Sequence, residues 1–303
     1  MGADTPEGGE LIRILAMHPD VELVALQASG LEGRPVANHH HGLIGETDLA
    51  FTGSVDYSRC DVIFVCRGCI APADFMRLRT DRPDLKIILL DEIPGVDRDK
   101  SGIVYGLPEI NRKLLVRGAP VAVLPASLAS MALVALFPLA KHLLLSGDIR
   151  IQVSAPEAIL ADMDLAGVAE EIRGQLAEVQ QSFAGNIRIE STPSRSRRSA
   201  LMQIDLSCAV GLEQLVNLYD IYDDHRFSFV TTSQVGVSEV AGTNKCVISV
   251  TKPESDTARL NVAADCRLRG GAGEAVHVMN LMCGLHERTG LALKAIDFTP
   301  VEN

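Results

Sequence analysis

Apolar residues recur at helical spacing near the start of the chain. In "GELIRILAMH" (9–18), Leu11, Ile12, Ile14 and Leu15 fall on one face, which predicts a helix. The run that follows, "VELVALQAS" (21–29), reads as a strand. Continuously apolar runs at 60–66 ("CDVIFVC"), 85–91 ("LKIILLD") and 120–125 ("PVAVLP") predict further strands, with Pro-, Asp- and Gly-rich connections between them. Short strands of this kind, alternating with helices, indicate a parallel sheet covered on both faces. Beyond "LLLSGDIR" the texture changes. "DLAGVAEEIRGQLAEVQQSF" (164–183) is an amphipathic helix, and "IRIEST", "SALMQIDLSC", "FSFVTTSQV", "NKCVISVT" and "ARLNVAADCRL" are strands with partial alternation. This is a second, α+β region. "RGGAGEAVHVMNLMCGLHERTGL" (269–291) predicts a Gly-rich turn and a long helix ending near Gly290.

Length and composition agree with a two-domain chain: 303 residues, 47% of them hydrophobic, are ample for a sizeable core. The formal net charge of -11 comes without long single-sign runs or a basic stripe, which argues against a nucleic-acid surface. Seven cysteines, an odd number without a signal-peptide pattern, read as free thiols in a cytoplasm. The most apolar run, 121–145, is interrupted by Pro125, Ser127, Ser130, Pro138, Lys141 and His142 and is a core element rather than a membrane span. Cys66 and Cys69 form a CxxC without a second pair at zinc spacing, and His39-His40-His41 reads as an exposed loop, so no metal is assigned. The segment 194–199, "SRSRRS", also reads as an exposed loop.

Several stretches together resemble the N-acetyl-gamma-glutamyl-phosphate reductase family: "HPDVEL", "GETDLAF", "VYGLPEINRK" (104–113), "FPLAKHLLLSGD" (137–148) and "GGAGEAVHVMNLMCGLHERTGL", in the family's order. The resemblance implies a Rossmann-like doubly wound domain (1–148 and 270–303), to which the C-terminal helix returns. It also implies an α+β domain with a mixed sheet (149–269) used in dimerisation and substrate binding. The implied assembly is a homo-oligomer, dimer or tetramer, or a hetero-oligomer with a related reductase. The implied chemistry is reduction of an N-acylglutamyl phosphate by NADPH, in which a cysteine thiolate forms a thioester and a histidine serves as acid and base.

The sequence departs from that pattern where the chemistry lies. The family's Asn-Pro-Gly-Cys-Tyr/Phe-Ala-Thr falls on Leu124-Pro125-Ala126-Ser127-Leu128-Ala129-Ser130, so Ser127 stands at the nucleophile's position and is expected to serve as a helix cap. An alcohol is far harder to ionise than a thiol and gives an ester that accepts hydride poorly. The family's His-x-His-Val falls on Ala166, Gly167, Val168 and Ala169, and a Gly/Ser/Thr-rich loop after the strand at 149–154 is shortened. At the cofactor turn Gly2 and Gly9 match, Thr5 replaces the middle glycine, and the preceding strand is missing from the sequence. Gly270, Gly273 and Asn280 are further cofactor-side candidates; Tyr105, Gly106, Glu109 and Arg198 are assigned to a substrate pocket. The expectation is an inactive member with a binding or regulatory role and weak or vestigial NADP contacts. The alternative is a working reductase using Ser127, or an unrecognised nucleophile, with a base such as His225.

Overall fold

The computed structural model describes residues 1–161 and 163–296. In chain order its main elements are α1 (Pro6–Leu15), β1 (Val62–Val65), α2 (Pro72–Asp81), β2 (Lys86–Leu89), β3 (Val104–Tyr105), α3 (Pro108–Val116), β4 (Val121–Val123) and α4 (Ser127–Lys141). They continue with β5 (Ile149–Pro156), α5 (Glu157–Leu160), α6 (Leu165–Val179), β6 (Ile187–Ser194), β7 (Ser199–Ser207) and α7 (Leu212–Asn217). The last four are β8 (Ser228–Thr231), β9 (Cys246–Glu254), β10 (Thr257–Asp265) and α8 (Ala272–Met282). Two compact units result: Met1–Pro125 with Gly271–Ala292, and Ala126–Gly270 with residues 293–296. The chain therefore divides after Pro125 rather than after 148, because α4 packs on α6 and on strands β7, β9 and β10. Positions 297–303, assigned above to the first domain, lie outside the described residues.

In the first unit the strand order is β1-β2-β4-β3, with every pair parallel. Ile87, Ile88, Val121 and Ala122 are wholly buried, as continuously apolar strands covered on both faces should be. Helix α8 is buried along its whole length against α1, α3 and β2. It stops at Met282 rather than near Gly290, because Gly284 takes a left-handed conformation (φ +69°) and Leu285 N turns back to Asn280 O. The segment "VELVALQAS" is not a strand; Gln27 alone makes an isolated bridge, to Thr52. An extended chain becomes a ladder only beside a second one, and the lane next to Val21–Leu26 is an open cleft.

Glu287, 7% exposed, joins His277 of α8 at 2.9 Å and also pairs with Arg112 of α3. Burial pushes its carboxyl up, but the hydrogen bonds from His277 and Arg112 outweigh that and hold it at about 2. A depressed carboxylate contributes stability that is complete above its unfolded value and is lost as pH falls through the folded one. The window here is from about 4.5 down to about 2. Allowing for solvent at the half-exposed Arg112, the contribution is on the order of 2 kcal/mol. Thermal melts should show that loss across this range in the natural protein, and a flatter profile in Glu287→Gln. A variant profile as steep as the parent's would remove Glu287 as its source.

The second unit is built on a six-stranded mixed sheet, β6-β5-β7-β10-β9-β8, with β5–β6 and β8–β9 parallel and the other pairs antiparallel. Helix α4 is apolar all round and buried at Ser127–Leu136 and Pro138–Ala140. Pro138 has no N–H for the carbonyl of Val134; the Tyr222 hydroxyl donates to that carbonyl instead, at 2.6 Å. The Tyr219 hydroxyl donates to Ala135 O at 2.7 Å. No helix of the described residues is long and apolar enough to cross a membrane.

Candidate functional site

In the second unit Ser127 is the first residue of α4 and 7% exposed. It is not the cap: that position is Ala126, extended at φ -56°, ψ 145° and without a side-chain hydrogen bond. The amide of Ala126 donates instead to Glu171 Oε1 of α6 at 3.4 Å, so a carboxylate sits at the positive end of α4. The Ser127 hydroxyl lies within hydrogen-bonding reach of Cys266, the residue after β10. Burial pushes that thiol up to about 12, so it is neutral near pH 7 and no proton acceptor for serine. Gly270 (φ +65°) lies flat on the same turn: a Cβ there would fall 2.4 Å from Ser127 Cα.

Arg198 belongs to this cluster through structure. Its Nε donates at 2.7 Å to Asp265 Oδ2, its carbonyl accepts from Cys266 N at 2.9 Å, and Asp265 is wholly buried. His225, the base named in the alternative reading, packs edge-on against Tyr222, whose hydroxyl is at Val134, and Val134 is two helical turns, about 10 Å, from the helix start. The sequence reading missed Cys266 and Asp265. An Asp-Cys pair after a strand carries no motif, and only the β10–β7 pairing sets it beside Arg198 and α4.

In the first unit the turn "GADTPEGG" precedes α1. Thr5 caps the helix, its hydroxyl accepting from Gly8 N at 3.0 Å and donating to Gly2 O at 2.8 Å. Pro6 has no amide to offer, and Glu7 adds a negative charge to the first turn. His39 and His40, expected in an exposed loop, tie to the turn through Asp4 O at 2.9 Å and Ala3 O at 2.7 Å. A Cβ on Gly9 would fall 2.6 Å from His40 Nδ1, so Gly9 serves that packing; one on Gly2 (φ +78°) would fall 2.4 Å from Cys69 Sγ. A dinucleotide pyrophosphate needs free amides and positive potential at such a turn, and this one fits it poorly. Burial pushes the Cys66 thiol up to about 11, and among the described residues no group of three or more His, Cys, Asp or Glu could hold a metal.

Gly273 is buried in the first turn of α8. Asn280, wholly buried, accepts from His18 Nε2 at 3.1 Å and donates to Thr289 O at 2.9 Å and Glu287 O at 3.2 Å, so its polar groups join α8 to neighbouring segments. Tyr105, Gly106 and Glu109 come together where β3 leads into α3. The Arg98 guanidinium lies 5.3 Å over the Tyr105 ring, Gly106 N donates to Val123 O at 2.7 Å, and Glu109 is 5% exposed in the first helical turn.

Comparison with known proteins places this geometry. Residues 1–117 match the family "Semialdehyde dehydrogenase, NAD binding domain". Aspartate-semialdehyde dehydrogenase with NADP from Candida albicans superposes with a TM-score of 0.68 at 12% identity, covering 93% of this chain and 97% of that one. A probable aspartate-semialdehyde dehydrogenase from Pseudomonas aeruginosa gives 0.67 at 16%, covering 93% and 96%. At such identities the likeness concerns the fold. In sequence, the N-acetyl-gamma-glutamyl-phosphate reductases of Phocaeicola vulgatus and Parabacteroides distasonis are 34% and 31% identical, each over 96% of both chains. Identity at that level along almost the whole length means that the chain belongs to the N-acetyl-gamma-glutamyl-phosphate reductase family.

Proposed function

We propose that this chain is a family member that does not turn over an N-acylglutamyl phosphate and serves as a binding or regulatory protein. The observation that carries the reading is the chemistry around Ser127. Its hydroxyl sits beside a thiol held protonated, with the Glu171 carboxylate at the helix end where a phosphorylated acyl group would place negative charge. The capped start of α1 supports weak or absent NADP binding by the same logic. We place the protein in the cytoplasm, as a dimer or tetramer with itself or with a related reductase.

The test is calorimetry with NADPH, then phosphate-dependent oxidation of N-acetylglutamate semialdehyde by NADP+, on the natural protein, Ser127→Cys and Ser127→Ala. The expected result is no turnover in any form, because a restored thiol would still lack a base. Turnover by the natural protein that disappears in Ser127→Ala would overturn the reading and make Ser127 the nucleophile.

A further inference from the structure

In the first unit the turn Cys66-Arg67-Gly68-Cys69 follows directly on β1 and leads into α2. Because β1 and β2 are parallel neighbours, the two cysteines stand at the carboxyl end of a strand in a strand-helix-strand unit, a setting in which CxxC pairs exchange with disulfides. The turn is tight. Cys69 N donates to Cys66 O at 3.1 Å, and Gly68 takes φ +68° at the third position, where a type II turn needs a residue without a side chain. Such a turn holds its first and last Cα atoms within about 7 Å, and a disulfide spans about 4.4–6.8 Å.

The side chains converge as well. A Cβ built on Gly2 would lie 2.9 Å from Cys66 Cβ and 3.3 Å from Cys69 Cβ, so those two atoms are no more than about 6 Å apart, against roughly 4 Å in a disulfide. Open space at Gly68, where nothing lies within 4 Å of an added Cβ, lets the turn tighten by the difference.

The two thiols are unequal. Cys69 is half-buried and its Sγ donates to Arg67 O at 3.4 Å, whereas Cys66 is 3% exposed and in reach of the Thr5 hydroxyl. A dissolved reagent therefore meets Cys69 first. Burial is the main cause that pushes both thiols up, Cys66 to about 11, which slows exchange near pH 7. It also withholds the thiolate stabilisation that makes low-pKa pairs strong oxidants, so the balance is not tilted toward the reduced form.

We propose that Cys66 and Cys69 are a reversible dithiol-disulfide pair whose co-substrate is a small dissolved disulfide of the glutathione class. Cys69 Sγ attacks one sulfur of that disulfide, gives its proton to the departing thiol and forms a mixed disulfide. Cys66 Sγ then attacks Cys69 Sγ and releases the second thiol, which takes the remaining proton. Two electrons pass from the cysteines to the dissolved disulfide, and one S–S bond forms for the one that breaks. In a reducing compartment such a bond is transient and serves to sense the disulfide level. The pair lies in the first unit and Ser127 in the second, and the proposal does not rest on the reading of Ser127.

The test is incubation of the full chain with oxidised glutathione, an acid quench, alkylation of the remaining thiols and peptide mapping by mass spectrometry. The natural protein should show a Cys66–Cys69 bond that dithiothreitol reverses. Cys66→Ser, which lacks the second thiol, should instead accumulate glutathione on Cys69 at least about tenfold above the natural protein. Cys69→Ser should leave Cys66 unmodified, because that thiol is buried. Recovery of both cysteines alkylated from the natural protein would overturn the proposal. So would glutathione that stays on Cys69 there, or a bond from Cys69 to Cys60.

Discussion

Arg198→Ala is expected to lower the stability of the protein by about 3–5 kcal/mol, because it strips the guanidinium from a carboxylate that cannot reach water. Asp265 is wholly buried at the end of β10. It accepts from Arg198 Nε at 2.7 Å, from Gly242 N at 2.8 Å and from Arg267 N at 3.0 Å. Two amides solvate part of that charge, but they do not replace a cation. The check is the urea midpoint of the variant at neutral pH, with Asp265→Asn in the same background. Removing the charge that Arg198 faces should recover part of the loss, so the two changes should be less than additive. A midpoint equal to the parent's would mean that Arg198 acts toward a ligand instead, as its assignment to the substrate pocket implied.

Gly270→Ala should cost about 2–4 kcal/mol from two separate sources. The left-handed backbone (φ +65°) costs an alanine about 1 kcal/mol. The remainder is overlap: the new Cβ would lie 2.4 Å from Ser127 Cα and 2.7 Å from Ser127 N, which are main-chain atoms of a buried helix with no rotamer to change. Gly118→Ala separates the two, since Gly118 has φ +84° and nothing within 4 Å of an added Cβ. Only the conformational part should appear there. If both variants lost the same amount in urea titrations, the close approach of Gly270 to α4 would contribute nothing. If Gly270→Ala were neutral, the turn would have to be free to move away from Ser127.

The glycines show how a correct residue can be picked for a reason that the structure replaces. Gly9 and Gly270 stand out in the sequence as cofactor-side positions. In the fold, Gly9 makes room for His40 and Gly270 for Ser127. The polar candidates behave alike. Asn280 is occupied by His18 and by two carbonyls, and Arg198 by Asp265. Each was legible as a candidate because it matches a position of the family's pattern. What required them was not legible, since the partners are distant in sequence. Ser127 is the exception. The hydroxyl that the resemblance sets at a thiol's position is read from the sequence itself, whereas its contact with Cys266 is not.

Periodicity and composition were enough to specify the apolar core run that contains α4, the parallel strands β1, β2 and β4, the helix over 165–179 and the β-rich second half. These signals are local, each residing in the spacing of side chains within one element. Motif order was enough for the family. The failure of 21–29 to form a strand, the division of the chain after Pro125 and the neighbours of Ser127 came from the fold alone. A strand exists only by its neighbour, a unit boundary depends on which face of a buried helix finds a partner, and a buried thiol shifts only when a low-dielectric environment closes around it. All three are properties of contacts between residues far apart in the chain.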